Sequence, residues 1–213
     1  MLIAIEGLDG SGKTTQARLL AEYLRKRGKD VLLVEEPGTT PTGKAIRAIL
    51  LDHGREILPL AELLLYEASR AQLVREVLEP ALAAGKIVVA DRFALSSLAY
   101  QGYGRGLPLE LVQELNAIAT GGLEPDLTIL LDISPEEGLR RKVQPASRGE
   151  AGVRPTTFLD RLEESGLEFL RRVREGYLKA VPPPPRGRVL DAHLSQEEVF
   201  RQIVEIVELA LAL

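Results

Sequence analysis

The chain has no cysteine and no tryptophan, and only two histidines, one methionine and one asparagine among its 213 residues. Without a thiol there is no disulfide, no thiolate-bound zinc and no cysteine nucleophile. The two histidines, His53 and His193, are too few for a histidine-rich metal centre. Long apolar runs are missing as well: Met1 to Ile5 meets Glu6, and Val199 to Leu213 is broken by Glu205 and Glu208. Neither run makes a signal peptide or reaches the ~18 apolar residues of a membrane helix. No membrane partner is expected, and the expected location is the cytoplasm. Charge of one sign is scarce too. The 27 basic and 31 acidic residues leave a net charge of −4. Such a surface offers no broad field for a nucleic acid, so any anion must be held locally.

What is present is ordinary for a globular domain: 45% hydrophobic and 27% charged residues. The length suits one domain, residues 1–213, with a small appended lid. Short continuous apolar runs recur at Leu2–Ile5, Val31–Val34, Ile87–Ala90, Leu127–Leu131 and Val189–Leu190. Runs that do not alternate suit strands covered on both faces, as in a parallel sheet. Helical stretches lie between them at Lys13–Arg27, Lys44–Leu51, Leu60–Ala84, Leu109–Ala119, Pro135–Lys142, Phe158–Ala180 and Gln196–Leu211. The alternation predicts a doubly wound α/β fold with helices on both faces and right-handed crossovers. Val143 to Pro155 is rich in Pro, Gly and Arg and lacks apolar periodicity. It is read as a mobile surface loop, the lid segment. Pro182 to Pro185 is a stiff connector before the last strand.

The strongest chemical signal is Gly7 to Thr14, G-L-D-G-S-G-K-T. It matches the phosphate-binding loop and stands where that loop must stand, after an apolar strand and at the start of a helix. Gly7, Gly10 and Gly12 let the backbone curl so that successive N–H groups face a phosphate. The positive end of the following helix points at the same place. Lys13 is expected to span the β- and γ-phosphates, and the Thr14 hydroxyl to ligate Mg²⁺. A GTPase would need an N-K-x-D base-reading motif, yet the sole asparagine, Asn116, is followed by Ala117. A transporter-type L-S-G-G-Q signature is absent too. A small-molecule kinase is the class that remains.

The acceptor side is read from three places. Ile87 to Asp91 is an apolar strand ending in a carboxylate, followed by Arg92. The carboxyl ends of strands line the ligand crevice of a doubly wound sheet. There Asp91 could hold Mg²⁺ through water and Arg92 could grip a phosphate in bidentate fashion. The plainer reading is an ion pair closing the strand end. Tyr66 and Arg70 are four apart and share a helix face, which suits a base platform or simply an interfacial tyrosine beside a surface arginine. Ser97 and Gln101 have the same spacing on a helix after Arg92, with Tyr100 nearly on the same face.

Together these segments resemble the thymidylate kinase family. The resemblance rests on IEGLDGSGKTT (Ile5–Thr15), EPG (Glu36–Gly38), YEASRAQL (Tyr66–Leu73), DRF (Asp91–Phe93) and SSLAYQGYGRG (Ser96–Gly106). PDLTILLD (Pro125–Asp132), LDRLE (Leu159–Glu163) and LDA (Leu190–Ala192) extend it over nearly the whole chain. It implies a five-stranded parallel sheet in order 2-3-1-4-5 with a mobile lid. It also implies transfer of the γ-phosphoryl group from ATP to dTMP with Mg²⁺, and a homodimer. The abundance of Leu and Ala in Leu60–Ala84 permits a helical interface of that kind.

The resemblance also assigns residues. Gly7, Leu8, Asp9, Gly10, Ser11, Gly12, Lys13, Thr14 and Thr15 are the donor-phosphate set, with Arg141 against adenine and Thr14 and Asp91 at the metal. Asp9 also matches a contact to the acceptor sugar. Tyr66 stands where the family stacks a ring on thymine. Arg70, Ser97 and Gln101 match base contacts, and Tyr100 the ring that disfavours a ribose. Arg47 and Arg92 match the grip on the dTMP phosphate, with Glu36 and Pro37 at the pocket floor. The loop carries no arginine of its own, which in this family goes with a basic lid, and Arg148 or Arg154 is expected to stabilise the transition state. The sequence departs from the family's R-E-P-G-G-T at two places, Glu35 for Arg and Thr39 for the second Gly. The alternatives are a kinase for another nucleoside monophosphate, such as UMP or CMP, and a non-catalytic nucleotide-binding protein.

Overall fold

A computed structural model describes residues 1–52, 54–143 and 166–212. Five strands form one parallel sheet in the order β2-β3-β1-β4-β5. They are β1 (Leu2–Gly7), β2 (Val31–Glu35), β3 (Ile87–Asp91), β4 (Leu127–Asp132) and β5 (Gly187–Asp191). This is the sheet order that the resemblance implies, and each strand contains one of the apolar runs. β1 is buried along its whole length. Leu2 and Ala4 pack with Val34, Val88 and Ala90 on one face, while Ile3 and Ile5 pack with Val89, Ile129 and Leu131 on the other. Apolar side chains on both faces are why the runs do not alternate.

The helices follow the expected spans with instructive differences. α1 (Lys13–Lys26) enters from Gly12 at φ 92° and has no side-chain cap at its first turn. α2 begins at Pro41 and runs to Leu50. The Lys44 start expected from apolar spacing is three residues late, because Thr40 caps Gly43 N–H and Pro41 takes the first helical position, where it needs no N–H. The expected Leu60–Ala84 helix is α3 (Pro59–Leu73), a π-helical stretch (Val74–Leu78) and α4 (Glu79–Ala83) in unbroken succession. Pro80 lacks an N–H and its ring would collide with the residue 76 carbonyl in a regular helix; the wider π turns carry the chain past it.

After β3, α5 (Ala94–Ser97) continues into a second π-helical stretch, Leu98–Gly104. Then come α6 (Leu109–Thr120), α7 (Pro135–Val143), α8 (Leu167–Ala180) and α9 (Gln196–Leu211). Ser195 and Glu198 form a capping box at the start of α9. Most of the lid segment, with Arg148 and Arg154, lies outside the described residues. So do His53 and the first part of the expected Phe158–Ala180 helix.

Register is what assembles the site. Ile5 and Glu35 both pair with Asp91, Gly7 pairs with Leu131, and Asp132 pairs with Asp191. In a parallel sheet all carboxyl ends fall on one edge, so the loops after β1, β2 and β3 open into a common crevice.

Candidate active site

The loop between β1 and α1 is tight. A Cβ on Gly10, whose φ is +80°, would stand 2.2 Å from the Gly138 carbonyl oxygen, so α7 packs directly on the loop. At Gly12, with φ +92°, a Cβ would meet nothing within 4 Å, which leaves the backbone open to a close-approaching anion. Ser11 and Leu8 are buried, and Ser11 N–H donates to the Leu8 carbonyl at 3.2 Å. Lys13 is buried too; its Nζ donates to the Leu8 carbonyl at 2.7 Å and to Asp9 Oδ1 at 3.4 Å. Burial, with Arg92 adding repulsion, lowers the Lys13 ammonium pKa to about 8 despite the acids around it.

Thr14 Oγ1 donates to Asp91 Oδ2 at 2.5 Å, joining the first turn of α1 to the end of β3. Arg92 follows at φ 73°, the one non-glycine residue with positive φ among the described residues. This turn swings its side chain across the loop. Nη2 meets Asp9 Oδ1 at 2.5 Å, and Nη1 donates to the Gly7 carbonyl at 3.0 Å. Burial alone would raise the Asp9 pKa; Arg92 and Lys13 overcome it and hold the carboxyl well below the usual range.

Two cavities meet here. The larger, about 360 Å³, is walled by Gly10, Gly12, Lys13, Thr14, Thr15, Glu35, Asp91, Arg141 and Lys142. The smaller, about 100 Å³, is walled by Pro37, Leu51, Tyr66, Ser96, Tyr100 and Gln101. Asp9, Glu36, Arg47 and Arg92 belong to both, so they form the junction. Five cations, Lys13, Arg47, Arg92, Arg141 and Lys142, thus border one water-accessible space. A third hollow beside the loop, lined by Thr15, Arg141, His193, Leu194 and Ser195 among others, continues the first cavity along α1.

Most residues singled out in the sequence therefore line one continuous crevice. Arg70 and Ser97 do not reach its walls. Arg70 is 1% exposed and lies behind the smaller cavity. Its Nη1 donates to Glu67 at 2.6 Å, Ser97 Oγ at 3.0 Å and Asn116 Oδ1 at 2.5 Å, and its Nη2 pairs with Glu36 at 2.6 Å. Ser97 in turn donates to Glu67 at 2.9 Å. Burial pushes the Glu36 carboxyl up to about 7, with Arg70 opposing the shift. Gln101 Nε2 donates to the buried Glu62 at 2.9 Å while its side chain faces the smaller cavity. Arg141 Nε donates to Glu137 at 2.8 Å at the edge of the larger one.

Sequence reasoning passed over Glu6, Ser96 and Tyr177. Glu6 is a fully buried carboxylate that accepts from Phe93 N–H at 2.8 Å and Ser96 Oγ at 2.6 Å. A charged residue inside an otherwise apolar strand was a legible signal. Tyr177, on α8, had none.

A family model described as thymidylate kinase matches residues 5–203. The thymidylate kinase of Chlorobaculum tepidum is 47% identical, covering 98% of this chain and 97% of its own. That of Deinococcus radiodurans is 50% identical, covering 95% and 94% respectively. Among solved structures, the thymidylate kinase from Ehrlichia chaffeensis superposes with a TM-score of 0.75 at 31% identity, over 97% of this chain and 98% of that one.

Proposed function

The chain belongs to the thymidylate kinase family and is an ATP-dependent enzyme that phosphorylates dTMP to dTDP; we propose how its residues divide that work. The donor phosphates lie along the loop from Gly7 to Thr15, with Lys13 spanning the β- and γ-phosphates and Arg141 flanking adenine. The acceptor occupies the smaller cavity. Thymine lies against Tyr66 with Gln101 at its edge, Arg70 and Ser97 brace Glu36 from behind, and Tyr100 crowds the 2′ position. Its monophosphate reaches the junction, where Arg47 and Arg92 grip it and Asp9 turns toward the sugar. The observation that supports this division is the junction itself: Asp9, Glu36, Arg47 and Arg92 border both cavities.

The chemistry asks little of a general base. A phosphate-monoester oxygen is already anionic at pH 7. What limits the reaction is the repulsion between two polyanions and the charge on the transferring phosphoryl group, and positioned cations answer both. Thr14 Oγ1 and Asp91 Oδ2, 2.5 Å apart, are hard oxygen donors of the kind Mg²⁺ takes alongside water and phosphate. When bound there, Mg²⁺ supplies charge neutralisation at the β- and γ-phosphates. Arg148 and Arg154, in a lid at about 143–155 appended to the single domain, supply the remaining positive charge.

The enzyme acts as a homodimer. Ile49 on α2, Leu58, Leu60 and Leu64 at and along the start of α3, and Ile118 on α6 are exposed apolar side chains on helices that pack against one another. A second copy would cover them; a monomeric mass by sedimentation would refute this. No described helix is long and apolar enough to cross a membrane, and we place the enzyme with its nucleotides in the cytoplasm.

The decisive experiment is an ADP-release assay with dTMP, dUMP, UMP, CMP and AMP as acceptors. dTMP should give the highest kcat/KM. Faster turnover of any other acceptor would overturn the acceptor assignment.

A further inference from the structure

Arg92 has a working side and an anchored side. Nη2 faces Asp9 and the junction of the two cavities. Nη1 donates to the Gly7 carbonyl at 3.0 Å, to Tyr177 Oη at 2.9 Å and, more distantly, to Ser96 Oγ at 3.3 Å. Tyr177 lies 85 residues further along the chain, on α8, and does not line either cavity. Its ring is 1% exposed and meets Tyr100 edge-on, with centroids 6.1 Å apart. Its hydroxyl lies 2.8 Å from Ser96 Oγ and donates to Glu6 Oε2 at 3.2 Å. Glu6 also accepts from Ser96 Oγ and Phe93 N–H. The hydroxyl proton is thus taken up by the Glu6–Ser96 pair, and an oxygen lone pair is left for the guanidinium.

We propose that Tyr177 is a positioning residue: its hydroxyl, oriented by Glu6 and Ser96, holds Arg92 Nη1 so that Nη2 faces the acceptor's monophosphate. The inference rests on the reading of Arg92 as a phosphate grip. A free arginine side chain has many rotamers, and each one lost on binding reduces affinity. Tyr177 removes that freedom before the substrate arrives. A misplacement of about 1 Å at the reacting group can cost ~10²-fold in rate, so the orientation matters to turnover as well as to affinity.

The test compares dTMP with thymidine, which lacks the phosphate. In Tyr177→Phe the ring and its packing stay and only the hydroxyl goes. Titration calorimetry should show dTMP affinity reduced about tenfold, as expected for a hydrogen bond to a charged group. Thymidine affinity should stay within twofold. Arg92→Ala should lose dTMP selectively and more strongly, and Tyr177→Phe added to it should cost nothing further. Glu6→Gln should repeat the selective loss in milder form, and serves if the tyrosine variant does not fold. Equal losses for dTMP and thymidine in a folded Tyr177→Phe or Glu6→Gln protein, or no loss for either, would overturn the proposal. If Arg92→Ala itself fails to separate the two ligands, it is the phosphate-grip reading that falls, and this inference with it.

Discussion

Glu35 Oε1 stands 2.7 Å from Arg47 Nη1, so the side chain expected to grip the acceptor's phosphate already holds a carboxylate of its own chain. The same nitrogen donates to the Pro37 carbonyl at 2.6 Å. Glu35 is also one of the two places where this sequence departs from the family's loop. An anionic ligand must compete with it. Both partners are more than one-third exposed, so the pair is screened and is worth roughly 0.2–1 kcal/mol. Glu35→Gln is therefore expected to lower KM for dTMP by no more than about fivefold and leave kcat unchanged. The effect should shrink as salt is raised. A higher KM in the variant would show that Glu35 helps the acceptor instead.

Arg92 combines a strained backbone with the side chain proposed to grip the acceptor's phosphate. The left-handed conformation costs an L-residue roughly 1–2 kcal/mol. Arg92→Ala keeps that strain, whereas Arg92→Gly relieves it. Both variants should lose turnover by about 10²-fold or more, the effect of removing one donor aimed at developing charge. Arg92→Gly should nonetheless melt above Arg92→Ala, by about 2–4 °C for each kcal/mol relieved. Identical melting would mean that the loop relaxes in the alanine variant and that the strain is not intrinsic to the fold.

Lys13 makes ATP binding sensitive to pH. Its pKa is lowered to about 8 in the free protein. As pH rises through 8, the ammonium loses its proton and its pull on the phosphates, so ATP affinity falls. Bound phosphates favour the charged form, so binding near pH 8 should take up part of a proton. Calorimetry in two buffers of different ionisation enthalpy would detect the uptake. Lys13→Arg, which cannot titrate in this range, should bind ATP with a flat profile. No proton uptake by the native enzyme at pH 8 would place the lysine's pKa elsewhere.

The proposed role of Arg148 and Arg154 concerns the transition state. Replacing the one that contacts the transferring phosphoryl group by alanine should lower kcat by ~10³-fold with a much smaller change in KM for ATP. Measuring Arg148→Ala and Arg154→Ala side by side identifies which it is. If each variant keeps kcat within about threefold of the native enzyme, the cationic-lid assignment fails for both.

Much of this protein is written locally. Gly7 to Thr14 is eight consecutive residues whose backbone freedom, lysine and hydroxyl act within one turn of chain, so strand, loop and helix start are legible together. The apolar runs of β1, β3 and β4 are legible because burial on both faces keeps most of their positions apolar. Tyr66, Tyr100 and Gln101 reach the acceptor cavity as helical spacing suggests. Helical spacing fails for Arg70 and Ser97 because it shows which residues share a face, not what that face meets. Tyr66 and Gln101 reach the cavity from those faces, whereas Arg70 turns onto Glu67, Asn116 and Glu36 and Ser97 onto Glu67.

The residue sequence by itself determined the phosphate loop, the strand positions and the class of reaction, since each depends on neighbours a few positions apart. Only the tertiary structure decided how the cations are aimed. Glu6 and Tyr177 are 171 residues apart, and they meet because β1 sits at the centre of the sheet with α8 packed near its carboxyl end. Contacts of that span leave no periodicity in the chain, because they are set by the strand order and not by the spacing of residues.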